Sequence, residues 1–398
     1  MPSYSGVWTL TAQYQAIGGQ NWPMAPGAPT SVSAVAGDAS ATVSFTAPSF
    51  VGIPPPITGY LATSSPGGLT ATGASSPLTV SGLSNGTSYT FAVQATNAVG
   101  YGPAGTSGSV TPAVPIGVFG GGAGPLNVMD YITITTTGNA TDFGDLTQTV
   151  ANLAACASST RGVFGGGGVV SNVRTNVMAY ITIATAGNAT DFGDITATTT
   201  TLTSCSSSTR GLFGGGNDEG GTTSVITYIT IASTGNSISF GSLTVARQSL
   251  AACASPTRGV FAGGAGSSSV IDYVTIATTG NATDFGDLTA GNDSLAGCSS
   301  STRGLFGGGG AAGQGNVIQY ITIASTGDAT DFGDLIVGQE KLAACSSSTR
   351  GVFGGGTTEG NVIQYVTIAT TGNATDFGDL TVERNSLAGC SNGHGGLS

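Results

Sequence analysis

Charged side chains are scarce in this sequence, and basic ones are especially few. Only 7% of its 398 residues are charged, the formal net charge at pH 7 is −11, and Lys341 is the only lysine. A surface so poor in cations cannot neutralise a run of phosphate groups. Nucleic acid and anionic membrane surfaces are therefore excluded as expected partners.

Histidine is almost absent, long apolar runs are lacking, and no secretion signal is expected. His394 is the only histidine, so a histidine-based catalytic or metal site has almost no ligands, and we expect no cofactor. No segment reaches the roughly 18–20 apolar residues of a membrane-spanning helix, so membrane insertion is not expected. The first residues have neither a basic start nor an apolar core. We therefore expect a protein that is made in the cytoplasm and stays there until the cell opens.

Glycine, by contrast, is abundant. The 67 glycines follow no Gly-X-Y period, and 39% of the residues are still hydrophobic. That composition excludes both collagen and a disordered chain, and it favours many short strands joined by tight turns. The sequence therefore predicts an all-β protein.

Three regions follow one another along the chain. Residues 1–25 form a short segment that contains both tryptophans, Trp8 and Trp22. Residues 26–113 alternate apolar and polar side chains with period two, as in "ATVSFTAP", and have proline-rich turns between the runs. Seven such runs in fewer than 90 residues predict a β-sandwich.

The second region also resembles a fibronectin type III domain. The resemblance rests on "PGAPTSVSAVAGDASATVSF", "ITGY", "GLSNGTSYTFAVQATNAVG" and "VTP", which stand where that family has them. It implies that Tyr89 is the tyrosine-corner residue and that Phe45 replaces the usual tryptophan of the second strand. Such modules are mostly spacers or display platforms.

Residues 114–398 repeat one pattern six times. A "G-[V/L]-F-[G/A]-G-G" box returns at spacings of 45, 49, 48, 45 and 47 residues, and each box leads to "Y-[I/V]-T-I", a "TDFGD" segment and "L-x-x-C". A period near 47 residues with four strand-like pieces is typical of a propeller blade. The sequence therefore predicts a six-bladed β-propeller. The boxes contain Phe119, Phe164, Phe213, Phe261, Phe306 and Phe353.

The repeat resembles a kelch motif, with a double glycine that ends the second strand. In that assignment "LAACSSS" is the innermost strand, "RGVFGGG" the second, "NVIQYITIAT" the third and "ATDFGDLT" the outermost. The first copy begins at its second strand and the last copy ends with an extra innermost strand. We therefore predict that residues 387–392 pair with residues 117–122 and complete the first blade, which removes exposed strand edges.

The "TDFGD" segment has two aspartates that could bind calcium, and its DFG triplet also occurs in kinases. The third copy reads "SISFGS", and the other kinase motifs are absent. Five copies also have "TRG", so we predict an Arg–Asp clamp within or between blades, with calcium or solvated turns as alternatives. Its members would be Arg161, Arg210, Arg258, Arg303 and Arg350 with Asp142, Asp191, Asp284, Asp331 and Asp376.

One cysteine per repeat lies on the predicted innermost strand. Equivalent positions of neighbouring blades should be more than about 7 Å apart, beyond the reach of a disulfide. We expect six free, buried thiols, because a metal ring would lack histidine support and paired C-x-x-C spacing.

The loop after each glycine box is the part that varies between copies. These loops connect the second and third strands, so a propeller gathers them on one face, where binding is commonly found. Drift of an unused surface is the alternative. The candidate binding residues are Asn127, Arg174, Asn217, Asp218, Glu219, Gln314 and Glu359.

The opening "SGVWTLTAQYQAIGGQNWP" is similar to the starts of tail-fibre and appendage proteins of bacteriophages, cyanophages among them. The resemblance implies a virion protein whose N-terminus, with Trp8 and Trp22, docks on other virion proteins. We expect a non-enzymatic adhesin whose propeller binds a host-surface glycan or protein. A decoration or adaptor subunit and a glycan-degrading enzyme are the alternatives, and a homo-oligomer stays open.

Overall fold

Two units make up the chain, Met1–Val114 and Pro115–Ser398. The computed structural model describes residues 9–11, 15, 19, 22–124, 126–169 and 173–397. These residues form antiparallel sheets almost throughout, which confirms the predicted all-β class.

The first unit contains the seven strands that the sequence predicts. They form a three-stranded sheet, β1-β2-β5, and a four-stranded sheet, β4-β3-β6-β7. Alternate residues of the strands are buried, as in β6, because one face of each sheet packs on the shared core. The strands are β1 (Thr30–Gly37), β2 (Ser40–Thr46), β3 (Gly59–Ser65), β4 (Thr70–Gly73), β5 (Leu78–Ser81), β6 (Thr90–Asn97) and β7 (Gly100–Thr106).

Two predicted core residues of this unit have the expected roles. The hydroxyl oxygen of Tyr89 accepts a hydrogen bond from the backbone N–H of Ser84, at 3.0 Å, which is the tyrosine-corner contact. Phe45 is buried, and its ring centroid lies 4.7 Å from that of Tyr60. Phe45 and Tyr60 therefore pack together in the core of this unit.

The second unit contains six four-stranded antiparallel sheets. Sheet 1 holds β8 (Ile116–Gly120), β9 (Leu126–Thr133) and β10 (Thr141–Val150); sheet 2 holds β11 (Ala154–Ala157), β12 (Arg161–Gly165), β13 (Val177–Thr182) and β14 (Thr190–Asp194). Sheet 3 holds β15 (Thr203–Ser206), β16 (Arg210–Gly214), β19 (Val225–Thr230) and β20 (Ile238–Ser242), with the small hairpin β17 (Asn217–Asp218) and β18 (Gly221–Thr222) between them.

The remaining sheets repeat this order. Sheet 4 holds β21 (Ala251–Ala254), β22 (Arg258–Ala262), β23 (Val270–Thr275) and β24 (Thr283–Asp287); sheet 5 holds β25 (Ala296–Ser299), β26 (Arg303–Gly307), β27 (Val317–Thr322) and β28 (Thr330–Asp334). Sheet 6 holds β29 (Ala343–Ser346), β30 (Arg350–Gly354), β31 (Val362–Thr367) and β32 (Thr375–Asp379); β33 (Ala388–Ser391) and a 3-10 helix (Gly395–Leu397) follow. The four strand assignments made from the repeat are confirmed.

Strand β33 leaves the last repeat and joins sheet 1. It pairs antiparallel with β8, from Ala388 opposite Gly120 to Ser391 opposite Gly117, which confirms the predicted pairing. The innermost strands lie side by side in the order β11, β15, β21, β25, β29 and β33, and β33 contacts β11. Each sheet nevertheless remains a separate four-stranded sheet.

The "TDFGD" segment is a structural unit of the outermost strand. In sheet 2 the strand bulges at Phe192, which is buried and meets Tyr180 edge-on at 6.0 Å between ring centroids. Gly193 follows with a φ of 134°, and a Cβ there would lie 2.6 Å from the carbonyl oxygen of Gly235 in the next sheet. Glycine is needed because of both its φ and this close approach.

Candidate binding site

Six residues with positive φ surround the ends of the innermost strands. Each precedes the leucine that leads into an innermost strand, and its φ is 55–58°. Each donates its backbone N–H to the carbonyl of the equivalent residue one sheet back, over 2.7–2.9 Å, so that six hydrogen bonds form a circle. We call these residues the rim: Asn152, Thr201, Ser249, Ser294, Lys341 and Ser386.

The rim opens into a cavity of about 340 Å³, here called the central cavity. Its wall consists of the rim, the leucines that follow it and the first two residues of each innermost strand. Five sheets place only alanine or glycine at those two positions, whereas sheet 3 places Thr203 and Ser204 there. This volume lies in the range of small-ligand pockets. The wall is polar at the rim, and below the rim its side chains are apolar apart from Thr203 and Ser204.

The other end of the innermost strands is covered by the C-terminal residues. The Nδ1 atom of His394 accepts a hydrogen bond from the N–H of Gly396 at 3.1 Å, so Nε2–H donates to the carbonyl of Ala157 at 2.8 Å. Gly395 and Gly396 pass so close to neighbouring carbonyls that a Cβ would lie 2.2 and 1.8 Å from oxygen atoms. A void of about 60 Å³ lies at this end.

We expect the free energy of unfolding to fall by about 2 kcal/mol between pH 7 and pH 5 because of His394. Burial lowers the pKa of His394 from 6.5 to about 4, so in this interval the unfolded chain binds a proton that the folded chain does not. Stability is then lost as the pH falls from about 6.5 towards 4. Urea titrations at both pH values measure the difference.

The matched control is the variant His394→Gln, whose side chain has no charge to gain. Its free energy of unfolding should change with pH by at least 1 kcal/mol less than that of the natural chain over the same interval. An equal pH dependence of the two proteins would show that His394 does not cause the loss.

The variable loops lie beside the rim. In sheet 3, Asn217 exchanges two backbone hydrogen bonds with Thr200, the residue before the rim residue, at 2.8 and 3.0 Å. In sheet 6 the N–H of Thr357 donates to the carbonyl of Glu340, which also precedes a rim residue. Equivalent bonds occur in the other four sheets, so the loops surround the mouth of the central cavity.

Most of the candidate binding residues lie in these loops. Arg174 of sheet 2 donates through Nη2 to Oδ1 of Asn217 of sheet 3, so the structure brings these two together. The β17–β18 hairpin carries Asp218, with Glu219 exposed at its turn. Gln314 is half-buried and Glu359 is exposed on the loops of sheets 5 and 6. Asn127 does not lie in a variable loop.

The structure places Asn127 inside β9 (Leu126–Thr133), so its assignment to a variable loop is wrong. The third strand of sheet 1 begins earlier after the glycine box than it does in the other sheets. Strand residues at this point are half-buried between their neighbours.

The predicted Arg–Asp clamp is also wrong. In sheet 2 the guanidinium of Arg161 lies 4.3 Å from the ring centroid of Tyr180, and Nη1 donates to the carbonyl of Ile231 in sheet 3 at 3.0 Å. The predicted aspartates are exposed because the bulge turns them outward, and no ion pair within the described residues joins the two sets. Arg210, Arg258, Arg303 and Arg350 repeat the contacts of Arg161; the exposed carboxylates are Asp142, Asp191, Asp284, Asp331 and Asp376.

The described residues form two buried ion pairs that were not predicted from the sequence. Arg247 meets Asp272 in sheet 4 at 2.5 Å, and Arg384 meets Asp130 in sheet 1 at 2.8 Å; all four side chains are at most 2% exposed. Burial lowers the pKa of both arginines, and the carboxylates oppose that shift. An alignment of the six repeats would have predicted these pairs. Only sheets 1 and 4 have Asp at the third-strand position of Asp130 and Asp272, and only they have Arg two residues before the rim residue.

The cysteines are buried, as predicted, and free. Each thiol packs on the glycine of the next sheet; a Cβ on Gly211, for example, would lie 2.4 Å from Sγ of Cys156. Burial raises the pKa of Cys205 and Cys298 to about 12, so these thiols stay protonated at neutral pH. Within the described ranges no three His, Cys, Asp or Glu residues are arranged to hold a metal ion.

The predicted docking residues are the two tryptophans of the first 25 residues. Trp8 lies outside the described residues, and Trp22 is half-buried in the first unit. Among the described residues no helix is long and apolar enough to cross a membrane.

Comparison with known proteins identifies one module. Residues 27–111 match the family model of the fibronectin type III domain, so the chain contains such a domain, as the sequence resemblance implied. It is a general-purpose module whose presence assigns no activity. No curated protein matches this chain.

Proposed function

We propose that the six sheets form a six-bladed, kelch-like β-propeller within a bacteriophage virion fibre or appendage. The cyclic order of the innermost strands and the pairing of β33 with β8 support this architecture. The likeness of the first residues to phage appendage proteins supports the virion assignment, with the N-terminus docking on other virion proteins. The fibronectin type III domain would serve as a spacer.

The propeller acts as a non-enzymatic adhesin for a host-surface glycan. One observation carries this function: the loops that vary between the repeats gather around the mouth of the central cavity. The strands that carry these loops are nearly identical from sheet to sheet. Packing of the strands therefore gives no reason for the loops at one end of the sheets to differ in sequence. A rigid scaffold with variable loops around a concave pocket is a common arrangement for recognition.

A second candidate, an adaptor that binds other virion proteins, is favoured by the outer strand of sheet 3. That strand lacks both aspartates of the other sheets, and Ile238 is 54% exposed, with Val225 of the adjacent strand 46% exposed. An uncharged outer strand with exposed apolar residues fits a protein partner better than a glycan.

Binding of the labelled full chain to intact candidate host cells tests the adhesin function. In one variant, each of three long variable loops is replaced by the short loop of sheet 4, residues 265–269. The replaced loops are residues 168–176, 217–224 and 310–316. We expect saturable binding by the natural chain and at least a tenfold loss in the variant, a typical effect of removing central contacts. Replacing residues 324–329 with residues 369–374, at the opposite strand ends, is the control that should bind normally.

Two results would contradict the adhesin function. One is the absence of saturable binding to any tested host, together with association of the chain with particles that lack it, which favours the adaptor. The other is equal binding by the loop variant and the natural chain.

A further inference from the structure

Lys341 is the only lysine of the chain, and it lies on the rim of the central cavity. It is exposed, and it belongs to neither of the two ion pairs among the described residues. The other rim positions are occupied by serine, threonine or asparagine. One side of the cavity mouth therefore carries a single positive charge that no carboxylate of the described chain neutralises by direct contact.

The opposite side of the cavity carries hydroxyl groups. Sheets 3 and 6 are three steps apart in the cyclic order of six, so Thr203 and Ser204 of sheet 3 lie across the cavity from Lys341. Both are half-buried, and their side chains make no hydrogen bond within the described part of the chain. Thr201, on the rim above them, adds a third hydroxyl on the same side.

We propose that the central cavity binds one carboxylate-bearing sugar residue, such as the uronic acid end of a glycan. Lys341 would bind the carboxylate, and Thr203 and Ser204 would exchange hydrogen bonds with the sugar hydroxyls. The alanine and leucine side chains of the wall would pack on the C–H face of the ring. The site rests on the adhesin function and names the ligand class for it.

A single negative charge fits the surroundings better than several. Asp293 and Glu340 stand beside two rim residues, and the chain as a whole has a net charge of −11. A polyanion such as a phosphorylated sugar would meet Lys341 as the one cation of the rim, with these carboxylates beside it, so repulsion would offset part of the attraction. A monoanionic carboxylate gains the charge-assisted hydrogen bond to Lys341 and is repelled less by Asp293 and Glu340.

Calorimetric titration of the full chain with glucuronate, galacturonate, glucose and inorganic phosphate tests the site. We expect a uronate to bind, and Lys341→Ser to weaken that binding at least tenfold, as loss of a hydrogen bond to a charged group does. Serine is the residue that three other sheets have at this position, so the fold is preserved. Lys341→Arg keeps the charge and should retain binding. Thr203→Ala combined with Ser204→Ala should weaken it several-fold.

The single lysine permits a second readout. An amine-reactive acylating reagent can modify only Lys341 and the terminal amine, so the intact mass reports on this residue. Bound uronate should slow acylation of Lys341, whereas glucose should not. Uronate binding that is equal in Lys341→Ser, or no uronate binding at all, would overturn the proposal.

These results are separable from the adhesin function. If host cells bind the natural chain and Lys341→Ser equally well, the adhesin function stands and the acidic-sugar site is wrong. If uronate binds in a Lys341-dependent way but no host cell is bound, the site stands and the adhesin function is wrong.

Discussion

Truncation after Ser386 is expected to unfold residues 115–398. The deletion removes β33, which supplies the innermost strand of sheet 1 and pairs with β8 over four residues. Leu387, Ala388 and Cys390 are at most 6% exposed, and loss of the Leu387 side chain alone should cost about 2–5 kcal/mol. Together with the lost backbone pairing this approaches the whole stability of an ordinary domain, about 5–15 kcal/mol.

The damage would not stay in sheet 1. Strand β33 also contacts the innermost strands of sheets 2 and 6, and the Ser391 hydroxyl donates to the carbonyl of Ser346. Loss of the strand therefore exposes apolar surface on three sheets. Differential scanning calorimetry should show no cooperative transition for this unit after truncation.

A shorter truncation, after Asn392, is the matched control. It removes His394 and the 3-10 helix but keeps β33, so we expect a cooperative transition at a modestly lower temperature. An unchanged melting temperature after removal of residues 387–398 would show that β33 does not hold the sheets together.

Arg384→Ala is expected to destabilise the second unit by about 3–5 kcal/mol. The substitution leaves the carboxylate of Asp130 at 0% exposure without its cation, and it removes a hydrogen bond to the carbonyl of Phe119 at 3.2 Å. Thr381 still donates its hydroxyl to Asp130, but one neutral donor does not replace a guanidinium. Chemical denaturation of the full chain measures the loss.

The repeats themselves supply the control for this prediction. Sheet 2 has Val150 and Ala179 at the positions that Arg384 and Asp130 occupy in sheet 1. The double variant Arg384→Val with Asp130→Ala should therefore regain most of the lost stability. Nε and Nη1 of Arg384 have no hydrogen-bond partner among the described residues, so the cost of burying the guanidinium is not fully offset by the ion pair.

A double-mutant cycle of Arg384→Val, Asp130→Ala and the double variant gives the coupling energy of the pair. If the double variant is as unstable as Arg384→Ala, the loss comes from packing around the arginine and not from the unpaired carboxylate.

The existence of the strands in both units, and the strand order within the repeats, could be predicted from the sequence because each strand leaves a local signal. The repeated box around Phe164, the "Y-[I/V]-T-I" run and the bulge at Phe192 recur at fixed spacing, so six copies reinforce one assignment. The period-two alternation around Phe45 did the same for the first unit. The additional innermost strand at the end of the chain was predicted because the first repeat lacks an innermost strand and the last repeat has one extra.

Side-chain partners between sheets were not predictable in this way. Arg161 and Asp142 look complementary in sequence, but the bulge turns the carboxylate outward while Arg161 reaches a backbone carbonyl of the next sheet. A sequence pattern shows which charged side chains are present, but it does not show which backbone carbonyl will accept a hydrogen bond from them. The pairing of Arg384 with Asp130 was missed because the two are 254 residues apart.

The central cavity was missed for a related reason. Its rim takes one residue from each of six connections. Lys341 is conspicuous as the only lysine, but its place on the rim is visible only when these connections are compared with one another. Alignment of the repeats on the leucine before each innermost strand would have revealed it.

Hydrogen exchange of the full chain, with and without purified host-surface glycan, shows directly whether the rim and the variable loops bind the host. We expect slower exchange in the rim and in residues 168–176, 217–224, 310–316 and 357–361, with no change in residues 27–111. Protection confined to the fibronectin type III domain, or to the strand ends opposite the rim, would contradict the assignment of this face to host binding.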